Sequence, residues 1–408
     1  MLPPDLPGSV SKDQTGRGSD EPAPSKERMV EQRWPILPDG ITKGSLLLAG
    51  THLDTLTDIE WPHRLFLEYG KPISVTSISL DGRYVAFCFQ DQTITIWSLQ
   101  RDALAHRLVS SIGGEDIISS MAWSHDNTKL IYGGSSGNIG VWEVESMTGS
   151  SGETTSLAHI PIGHQTEVQV IATSPDGLKA VTSSADSSVK LWKMETYVEY
   201  GTFNLDGMVV CATFSPDSQR LAVTADSVVW IYRADSSERL LRLQGHDDMI
   251  WSLEFSSDNE RILTCSEDGT ARVWETDTGA ELISVEHSGP IWSAKFSPDN
   301  KEILTGSYDS CVAVRSSYTG ESRLQLNDRP SPVHAVAYTP DGEYIAAGCA
   351  DGTVKIWENV GGKFICEIRG HKDKVNSLEF TPDGRKFVTS GDDGTMRIWD
   401  LVDILRIS

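Results

Sequence analysis

The segment from Gly370 to Asp400 reads GHKDKVNSLEFTPDGRKFVTSGDDGTMRIWD and contains three short apolar runs separated by two turns. Val375–Phe380, Arg385–Ser390 and Thr395–Trp399 have the length and the β-branched and aromatic content of strands. Thr-Pro-Asp-Gly and Asp-Asp-Gly turns connect them, because proline presets φ and glycine tolerates φ above zero. Three such strands form a sheet that cannot bury its own faces, so it requires neighbouring sheets.

Equivalents of this segment recur along the chain about every 42 residues. The residue that ends the third strand is Trp97, Trp142, Trp192, Tyr232, Trp274, Arg315, Trp357 and Trp399 in successive copies. Six positions earlier stands Asp91, Asp186, Asp226, Asp268, Asp309, Asp351 or Asp393, with Ser136 in the second copy alone. The Ser/Thr-Pro-Asp turn begins again at Ser174, Ser215, Ser297, Thr339 and Thr381. This self-similarity predicts eight copies of one supersecondary unit.

The eight copies resemble WD repeats. The resemblance is carried by the Gly-His pairs Gly163-His164, Gly245-His246 and Gly370-His371 and by Trp399-Asp400. It extends from Trp61 to Trp399 and implies an all-β propeller of eight four-stranded blades around a central channel. Propellers of this kind serve many unrelated roles, so the resemblance implies a fold more than a function.

Four copies carry a histidine, a threonine, an aspartate and a terminal residue at one common spacing. These sets are His164, Thr182, Asp186, Trp192; His246, Thr264, Asp268, Trp274; His287, Thr305, Asp309, Arg315; and His371, Thr389, Asp393, Trp399. The residue types also suit a catalytic triad. In WD-repeat proteins, however, this tetrad is a hydrogen-bond relay inside each blade, and its repetition favours a brace because an enzyme needs only one site. Arg315 lacks the indole, which predicts a looser sixth blade.

The boundaries predicted from composition are an N-terminal extension over residues 1–60 and a propeller over 61–408. Residues 1–30 are rich in Pro, Gly, Ser and charge and are expected to be disordered. His63–Tyr69 aligns with Arg239–Gln244, which the family resemblance places on an outer strand, so Arg64–Glu68 is expected to complete the last blade and close the ring. The tail Asp403–Ser408 is the alternative closing segment. Ser146–Thr155 has the composition of a surface loop.

The net charge of −23 argues against a nucleic-acid partner and against anionic membranes, although acidic charge also simply keeps a large β protein soluble. Six cysteines without a Cys-x-x-Cys pair predict free thiols in a reducing compartment. No glycosylation sequon, apolar N-terminal signal or long apolar run is present. These features predict a cytoplasmic or nuclear protein.

No catalytic, cofactor-binding or metal-binding residue is predicted. Gly133-Gly134-Ser135-Ser136-Gly137 matches the nucleophile elbow, but the repeat register places it in a hairpin turn and not before a helix. The Gly-x-x-x-x-Gly-Lys-Ser/Thr phosphate loop is absent, and the histidines show no metal-ligand spacing. No carboxylate or histidine cluster outside the tetrads is apparent in the sequence.

The geometry of the resembled family predicts a binding face at the rim where the first strand of each blade begins. The candidates are Met249, Trp251, Pro290, Trp292, Tyr308 and His334, with Glu267 at the same rim. Thr76, Ser119, Gln169, Val210 and Asn376 occupy the strand position in other copies, so bulky residues gather on three adjacent blades. Exposed Trp and Tyr suit protein recognition. Burial of Trp251 and Trp292 between blades is the alternative.

The fold and these residues favour a non-enzymatic scaffold that binds proteins or peptides, as a monomeric propeller within a complex. Two alternatives stay open. One is a substrate-recognition adaptor or signalling sensor, although Trp399-Asp400-Leu401-Val402 lacks the Arg of a Trp-Asp-x-Arg docking box. The other is an enzyme with its site in the central channel.

Overall fold

A computed structural model of the protein describes residues 63–66, 73–89, 93–109, 117–144, 157–160, 163–327 and 330–407. The predictions made for residues 1–60, for Ser146–Thr155 and for the turn residue Asp91 lie outside these ranges. The described residues form 32 strands in eight antiparallel four-stranded sheets, followed by one helix. The sheets are the blades of a ring, so the predicted eight-bladed all-β propeller is confirmed.

In seven blades the strands follow each other in chain order from the inner strand to the outer one. Blade one contains β2 (Ile73–Ile78), β3 (Tyr84–Phe89), β4 (Thr93–Ser98) and β5 (Ala103–Val109). Blade two contains β6 (Ile118–Trp123), β7 (Lys129–Gly134), β8 (Ile139–Glu143) and β9 (Leu157–Ile160). Blade three contains β10 (Val168–Thr173), β11 (Lys179–Ser184), β12 (Ser188–Lys193) and β13 (Val198–Asn204). Blade four contains β14 (Ala212–Phe214), β15 (Arg220–Ala225), β16 (Val228–Arg233) and β17 (Arg239–Gln244).

The next three blades repeat this order. Blade five contains β18 (Ile250–Phe255), β19 (Arg261–Ser266), β20 (Thr270–Glu275) and β21 (Glu281–Glu286). Blade six contains β22 (Ile291–Phe296), β23 (Glu302–Ser307), β24 (Val312–Ser316) and β25 (Ser322–Leu326). Blade seven contains β26 (Val333–Tyr338), β27 (Tyr344–Cys349), β28 (Thr353–Glu358) and β29 (Phe364–Arg369). Blade eight contains β30 (Val375–Phe380), β31 (Lys386–Gly391) and β32 (Met396–Asp400).

The fourth strand of blade eight comes from the other end of the chain. β1 (His63–Phe66) pairs antiparallel with β32, with His63 opposite Trp399. The predicted N-terminal closing strand is therefore present, one residue earlier at its start and two residues shorter at its end than Arg64–Glu68. Pairing β32 in this way removes the exposed sheet edge that an open ring would leave.

The C-terminal tail does not compete for the closing position, so that alternative was wrong. Leu401–Ile407 forms the helix α1. The side chains of Leu401 and Ile404 are buried in a cluster with Trp399, and Leu405 packs against this cluster. The i, i+3, i+4 spacing of these apolar residues suits a helix and not a half-buried strand. Within the described residues no helix is both long and apolar enough to cross a bilayer.

The turn between the first two strands is the same in all eight blades. Its Ser or Thr hydroxyl donates to the Asp two residues later and accepts the backbone N–H five residues later, as Thr381 does with Asp383 and Lys386. The hydroxyl donors are Ser79, Ser124, Ser174, Ser215, Ser256, Ser297, Thr339 and Thr381. Three of these turns lack the proline used to recognise the motif in the sequence. The hydroxyl and carboxylate, and not the proline, are thus what every copy needs.

The core consists of apolar clusters between adjacent blades. One cluster joins Val85, Phe87 and Trp97 of blade one to Met396 and Ile398 of blade eight, so the first and last blades share buried surface. Polar braces accompany the clusters. Lys386 of blade eight donates to the carbonyl of Leu99 in blade one (2.8 Å), and Lys129 of blade two reaches the carbonyl of Met194 in blade three (3.3 Å). The ring therefore closes through packing and side-chain bonds as well as through β1.

All six cysteines are free thiols in the structure. Cys88, Cys265, Cys349 and Cys366 are buried in the blades, whereas Cys211 and Cys311 are half-buried. The segment Gly133–Gly137 lies where β7 turns into β8, which confirms the predicted hairpin and excludes the strand-to-helix geometry of a nucleophile elbow.

Candidate functional site

Four aromatic side chains and one carboxylate form a connected surface on blades five to seven, which we call the aromatic rim: Trp251, Glu267, Trp292, Tyr308 and His334. The indole of Trp292 stacks on the His334 ring, with centroids 3.8 Å apart and planes at 29°. The Tyr308 ring meets the same indole edge-on, with centroids at 5.5 Å. Glu267 Oε2 accepts the indole N–H of Trp251 (2.6 Å) and that of Trp292 (3.4 Å). The carboxylate thus links the aromatic residues of two blades.

A β-bulge places these side chains at the rim. The pairing register of the inner strand shifts between Ile250 and Ser252 in blade five, between Ile291 and Ser293 in blade six, and between Val333 and Ala335 in blade seven. The extra residues are therefore Trp251, Trp292 and His334, each of which follows a buried apolar residue. A bulge re-aims the side chain of its unpaired residue. In blade one the shift falls between Ile73 and Val75, so Ser74 and not Thr76 holds the equivalent position.

The backbone positions the remaining predicted rim residues. The carbonyl of Met249 accepts the N–H of Glu267 (2.9 Å), and the carbonyl of Pro290 accepts the N–H of Tyr308 (2.8 Å). These bonds tie the loop before each inner strand to the turn between the second and third strands. Met249 and Pro290 are half-buried and act here mainly through the backbone.

The exposed fractions of the side chains distinguish a binding face from burial of the tryptophans between blades. Trp251 is 37% exposed and Tyr308 is 54% exposed, so neither belongs to the core. Trp292 is half-buried, between Tyr308 and His334. Burial, with a smaller contribution from Lys374, lowers the pKa of His334 to about 4, so this ring is neutral at physiological pH. The aromatic rim therefore carries no cation of its own and one carboxylate.

The relay of blades five and eight is complete. In blade eight the indole of Trp399 donates to Thr389 (2.8 Å), Thr389 lies 2.7 Å from His371 Nε2, and His371 Nδ1 lies 3.1 Å from Asp393. In blade five the corresponding distances, through Trp274, Thr264, His246 and Asp268, are 2.9, 2.8 and 2.8 Å. Burial lowers the pKa of His246 and of His371, despite the neighbouring carboxylates. A neutral imidazole can accept from threonine while it donates to aspartate.

Blade three departs from the predicted relay at one bond. Trp192 donates to Thr182 (2.9 Å), which lies 2.7 Å from His164 Nε2. His164 Nδ1, however, lies 2.6 Å from the Ser188 hydroxyl, whereas Asp186 stands 3.7 Å away. Ser188 was missing from the sequence prediction, although it stands two residues after the turn aspartate. Thr270 and Thr395 hold that position in blades five and eight and also approach the histidine.

Blade six has the relay without its indole, as the sequence predicted. His287 Nε2 lies 2.8 Å from Thr305, and His287 Nδ1 lies 3.2 Å from Asp309. Arg315 donates instead to the carbonyl of Glu286 (3.4 Å). Glu286 stands where blades five and eight have the glycine of their Gly-His pair.

The glycine and the tryptophan depend on each other sterically. A Cβ at Gly245 would stand 2.9 Å from the Trp274 ring, and one at Gly370 would stand 2.7 Å from the Trp399 ring. Real Cβ atoms do not approach other atoms this closely. Blade six therefore differs from blades five and eight at both members of this contact, with Glu286 in place of the glycine and Arg315 in place of the tryptophan.

Blade six also brings three possible metal ligands together. The donor atoms of His287, Asp309 and Cys311 lie within 4.8 Å of one another, which the sequence prediction of no metal site did not anticipate. His287 and Asp309 already serve the relay, and Asp309 further accepts the N–H groups of Ser288 and Cys311. Burial, and secondarily Asp309, raises the pKa of the Cys311 thiol. These donors are engaged in holding the turn, so we assign no metal role to them.

The central channel contains an ionisable cluster that sequence reasoning missed. Glu254, Lys295 and Glu379 each immediately precede the phenylalanine that ends an inner strand, and they interact electrostatically across blades five, six and eight. Glu254 Oε2 also accepts the N–H of Phe296 in the next blade (3.1 Å). Enclosure by the surrounding blades raises the pKa of both glutamates, although the side chains of Lys295 and Glu379 are exposed to the water of the channel. The carboxylate of Glu254 raises the pKa of Lys295. A lysine held protonated in this way is a poor nucleophile and a poor general base. The repeat register could have revealed the cluster, because all three residues occupy one position.

These observations define a closed eight-bladed propeller braced by histidine relays, with an aromatic rim on one face. A family model described as "WD domain, G-beta repeat" matches residues 106–143, 155–193, 237–275, 280–315, 320–358 and 362–400. The matches cover more than half of the chain. The protein belongs to the WD40 repeat family.

Curated relatives are similar over part of their length. Human Transducin beta-like protein 2 is 30% identical over 223 residues, which are 50% of this chain and 48% of that protein. WD repeat-containing protein 1 of Xenopus tropicalis is 25% identical over 221 residues, which are 52% of this chain and 35% of that protein. The chain thus spans about half, or less, of the length of these relatives.

Solved structures show the same fold. The C-terminal WD40 domain of Sif2 superposes with a TM-score of 0.71 at 18% identity, covering 83% of this chain and 98% of that one. Sqt1 of Chaetomium thermophilum, bound to the N-terminus of the ribosomal protein L10, gives a TM-score of 0.70 at 18% identity, covering 82% and 98%. At this identity the likeness concerns the fold alone.

Proposed function

We propose that this protein is a non-enzymatic scaffold that binds a partner protein or peptide at its aromatic rim. The observation that carries the proposal is the exposure of Trp251 and Tyr308 on adjacent blades, joined through Trp292 and Glu267 into one connected surface. Trp and Tyr are enriched among the residues that dominate binding energy at protein interfaces. Elsewhere in the described chain large apolar side chains are also exposed, but the rim is where several aromatic rings touch one another.

The rim is rigid, which favours recognition. Trp251, Trp292 and His334 lie on inner strands of a closed ring, and Glu267 and Tyr308 lie in turns that backbone hydrogen bonds tie to the loops before those strands. A preorganised surface loses little conformational freedom when it binds. Sqt1, a propeller of similar fold, is bound to the terminus of another protein, which supports a peptide segment as partner.

A catalytic role receives less support. The His-Thr-Asp sets recur in four blades and their hydrogen bonds are used within each blade. The channel cluster contains a protonated lysine between carboxylates with raised pKa values. As a further part of the proposal, free cysteines and acidic charge suit a cytoplasmic or nuclear protein without a nucleic-acid partner.

The test is the double substitution Trp251→Ala with Trp292→Ala, measured for melting temperature and for capture of partners by affinity purification and mass spectrometry. We expect the loss of a reproducible set of captured proteins, with a melting temperature within a few degrees of the parent. The matched control is Tyr318→Ala, which removes an aromatic residue that is 61% exposed in a turn between the third and fourth strands of blade six. Loss of partners in the control as well, or a collapse of the melting temperature in the double variant, would contradict the proposal.

A further inference from the structure

We infer that the aromatic rim receives a basic side chain, lysine or arginine, from a peptide segment of the partner, with the cation at Glu267. The inference rests on the proposed function and specifies the chemistry of the ligand. Glu267 Oε2 accepts both indole N–H groups, whereas Oε1 accepts no hydrogen bond from any described residue. A carboxylate held by two indoles therefore presents one free oxygen between aromatic surfaces.

The surrounding rings suit the rest of a basic side chain. Trp251, which donates to Glu267, and Tyr308, which contacts Trp292 of the next blade, both expose ring surface. An aliphatic lysine or arginine stem can lie along such surface while its charged end meets the carboxylate. Cations are also attracted to the faces of Trp and Tyr rings. Lysine or arginine thus satisfies both the free oxygen and the aromatic surface.

The charge around the rim favours a cation over other ligands. The described loops on this face of blades four to eight contain the lysines Lys372 and Lys374, and Lys374 is paired with Asp392 (3.0 Å). The same loops contain the carboxylates Asp206, Asp226, Asp247, Asp248, Glu267, Asp268, Asp309, Asp351, Asp373, Asp392 and Asp393. His334, stacked beneath Trp292, adds no positive charge because burial keeps it neutral. An acidic field of this kind attracts basic segments and repels nucleic acids and acidic peptides.

Blade four, the neighbour of blade five, also carries an exposed apolar residue beside a carboxylate on this face. The N–H of Met208 is bonded to Asp226 (2.9 Å), and Met208 is 40% exposed beside Trp251 in the ring order. The pairing of β15 with β16 shows that the turn of blade four is one residue shorter, so Asp226 stands where blade five has Glu267. An apolar side chain next to a carboxylate is thus present in two adjacent blades.

The test measures binding of a Gly-Ser peptide that carries two arginines, by isothermal titration calorimetry at low and at physiological salt. A second peptide replaces both arginines with lysine, and a third replaces them with glutamine. Glu267→Gln removes the charge while its amide oxygen can still accept the indole N–H groups. Its control is Glu321→Gln, which makes the same change of net charge in an exposed turn on the opposite face.

We expect Glu267→Gln to weaken the affinity for the arginine and lysine peptides at least about tenfold, the loss of one charge-assisted hydrogen bond. Glu321→Gln should leave the affinity unchanged, and the glutamine peptide should not bind. Equal weakening by the two variants means that the general acidic field and not Glu267 attracts the peptide, which overturns the inference. Tight binding of the glutamine peptide overturns it too. The proposed function survives either result if Trp251→Ala with Trp292→Ala still abolishes partner capture.

Discussion

Blade eight and blade six have the same strands, turns and histidine, yet they differ in the residue that ends the third strand. In blade eight Trp399 is fully buried and donates to Thr389, which continues the relay to His371. In blade six Arg315 is half-buried and donates to a backbone carbonyl, so Thr305 receives no indole. The His-Thr-Asp part persists in both. The relay is therefore modular, and its indole can be lost without loss of the blade.

The two blades also differ in their surroundings. Blade eight closes the ring through β1, through Lys386 and through a shared cluster with blade one. Blade six lies within the ring and carries Trp292 and Tyr308 of the aromatic rim. The blade with the complete relay thus lies where β1 pairs with β32, and the blade without the indole lies where the exposed aromatic residues gather.

The largest effect should come from removing the closing strand. Deletion of residues 1–69 removes β1 and leaves the edge of β32 unpaired, so we expect loss of the folded monomer and aggregation. Deletion of residues 1–55 retains β1 and serves as the control. Size-exclusion chromatography and thermal unfolding distinguish the two. Equal solubility and melting of both truncations would show that β1 does not hold the ring closed.

Acid should act through the buried relay histidines. Burial lowers the pKa of His164 from 6.5 to about 4. Between these pH values the unfolded chain binds a proton that the folded protein does not. The contribution of the neutral His164 to the free energy of unfolding is therefore complete above pH 6.5 and is lost as the pH falls towards 4. The loss amounts to about 3 kcal/mol for a shift of this size.

The measurement compares the parent with His164→Gln by urea unfolding from pH 7.5 to pH 4. The raised pKa values of Glu254 and Glu379 act in the opposite direction, and they cancel in the difference because both proteins retain them. The stability advantage of the parent should shrink through this window. An advantage that does not depend on pH would mean that His164 titrates normally in the folded protein.

Removal of the histidine should cost more in blade eight than in blade six. His371→Ala removes the acceptor of the Thr389 hydroxyl and one donor to Asp393, typically costing ~1–3 kcal/mol. His287→Ala interrupts a relay that is one bond shorter, so we expect about 1 kcal/mol less. Denaturant unfolding measures both. Identical losses would indicate that the indole adds nothing to the relay.

The smallest effect should come from rebuilding the relay of blade six. Glu286→Gly with Arg315→Trp restores both members of the steric pair, and a gain of about 1 kcal/mol is expected from the new indole hydrogen bond. Arg315→Trp alone should destabilise, because in blades five and eight a Cβ at the equivalent glycine would approach the indole too closely. This double-mutant cycle is read by thermal unfolding. Additive single changes would show that the two positions are independent.

Repetition is what made the fold predictable from sequence. The first three strands of blades one and four lie outside the six family-model matches, yet Trp97 and Tyr232 stand in the same register as Trp399, and both blades form. The relay was predictable for the same reason, because its members recur at a constant spacing. The three turns without proline were missed because the motif was identified by proline and not by the hydrogen bond of its hydroxyl group. Ser188 was missed for a similar reason, because the partner of the histidine was expected to be aspartate alone.

The sequence by itself determined the strands, the turns and the relay residues, since each depends on contacts within about 42 residues of one repeat. Only the tertiary structure decided which residues of different repeats are in contact. It joined Trp251 and Trp292 through Glu267, and it placed β1 and not the C-terminal tail at the closing position of the ring. These contacts depend on how whole blades are placed around an axis, and no spacing along the chain encodes that placement directly. The physical reason is that each blade must bury its faces against its neighbours, so the residues between blades find their partners only once the ring has closed.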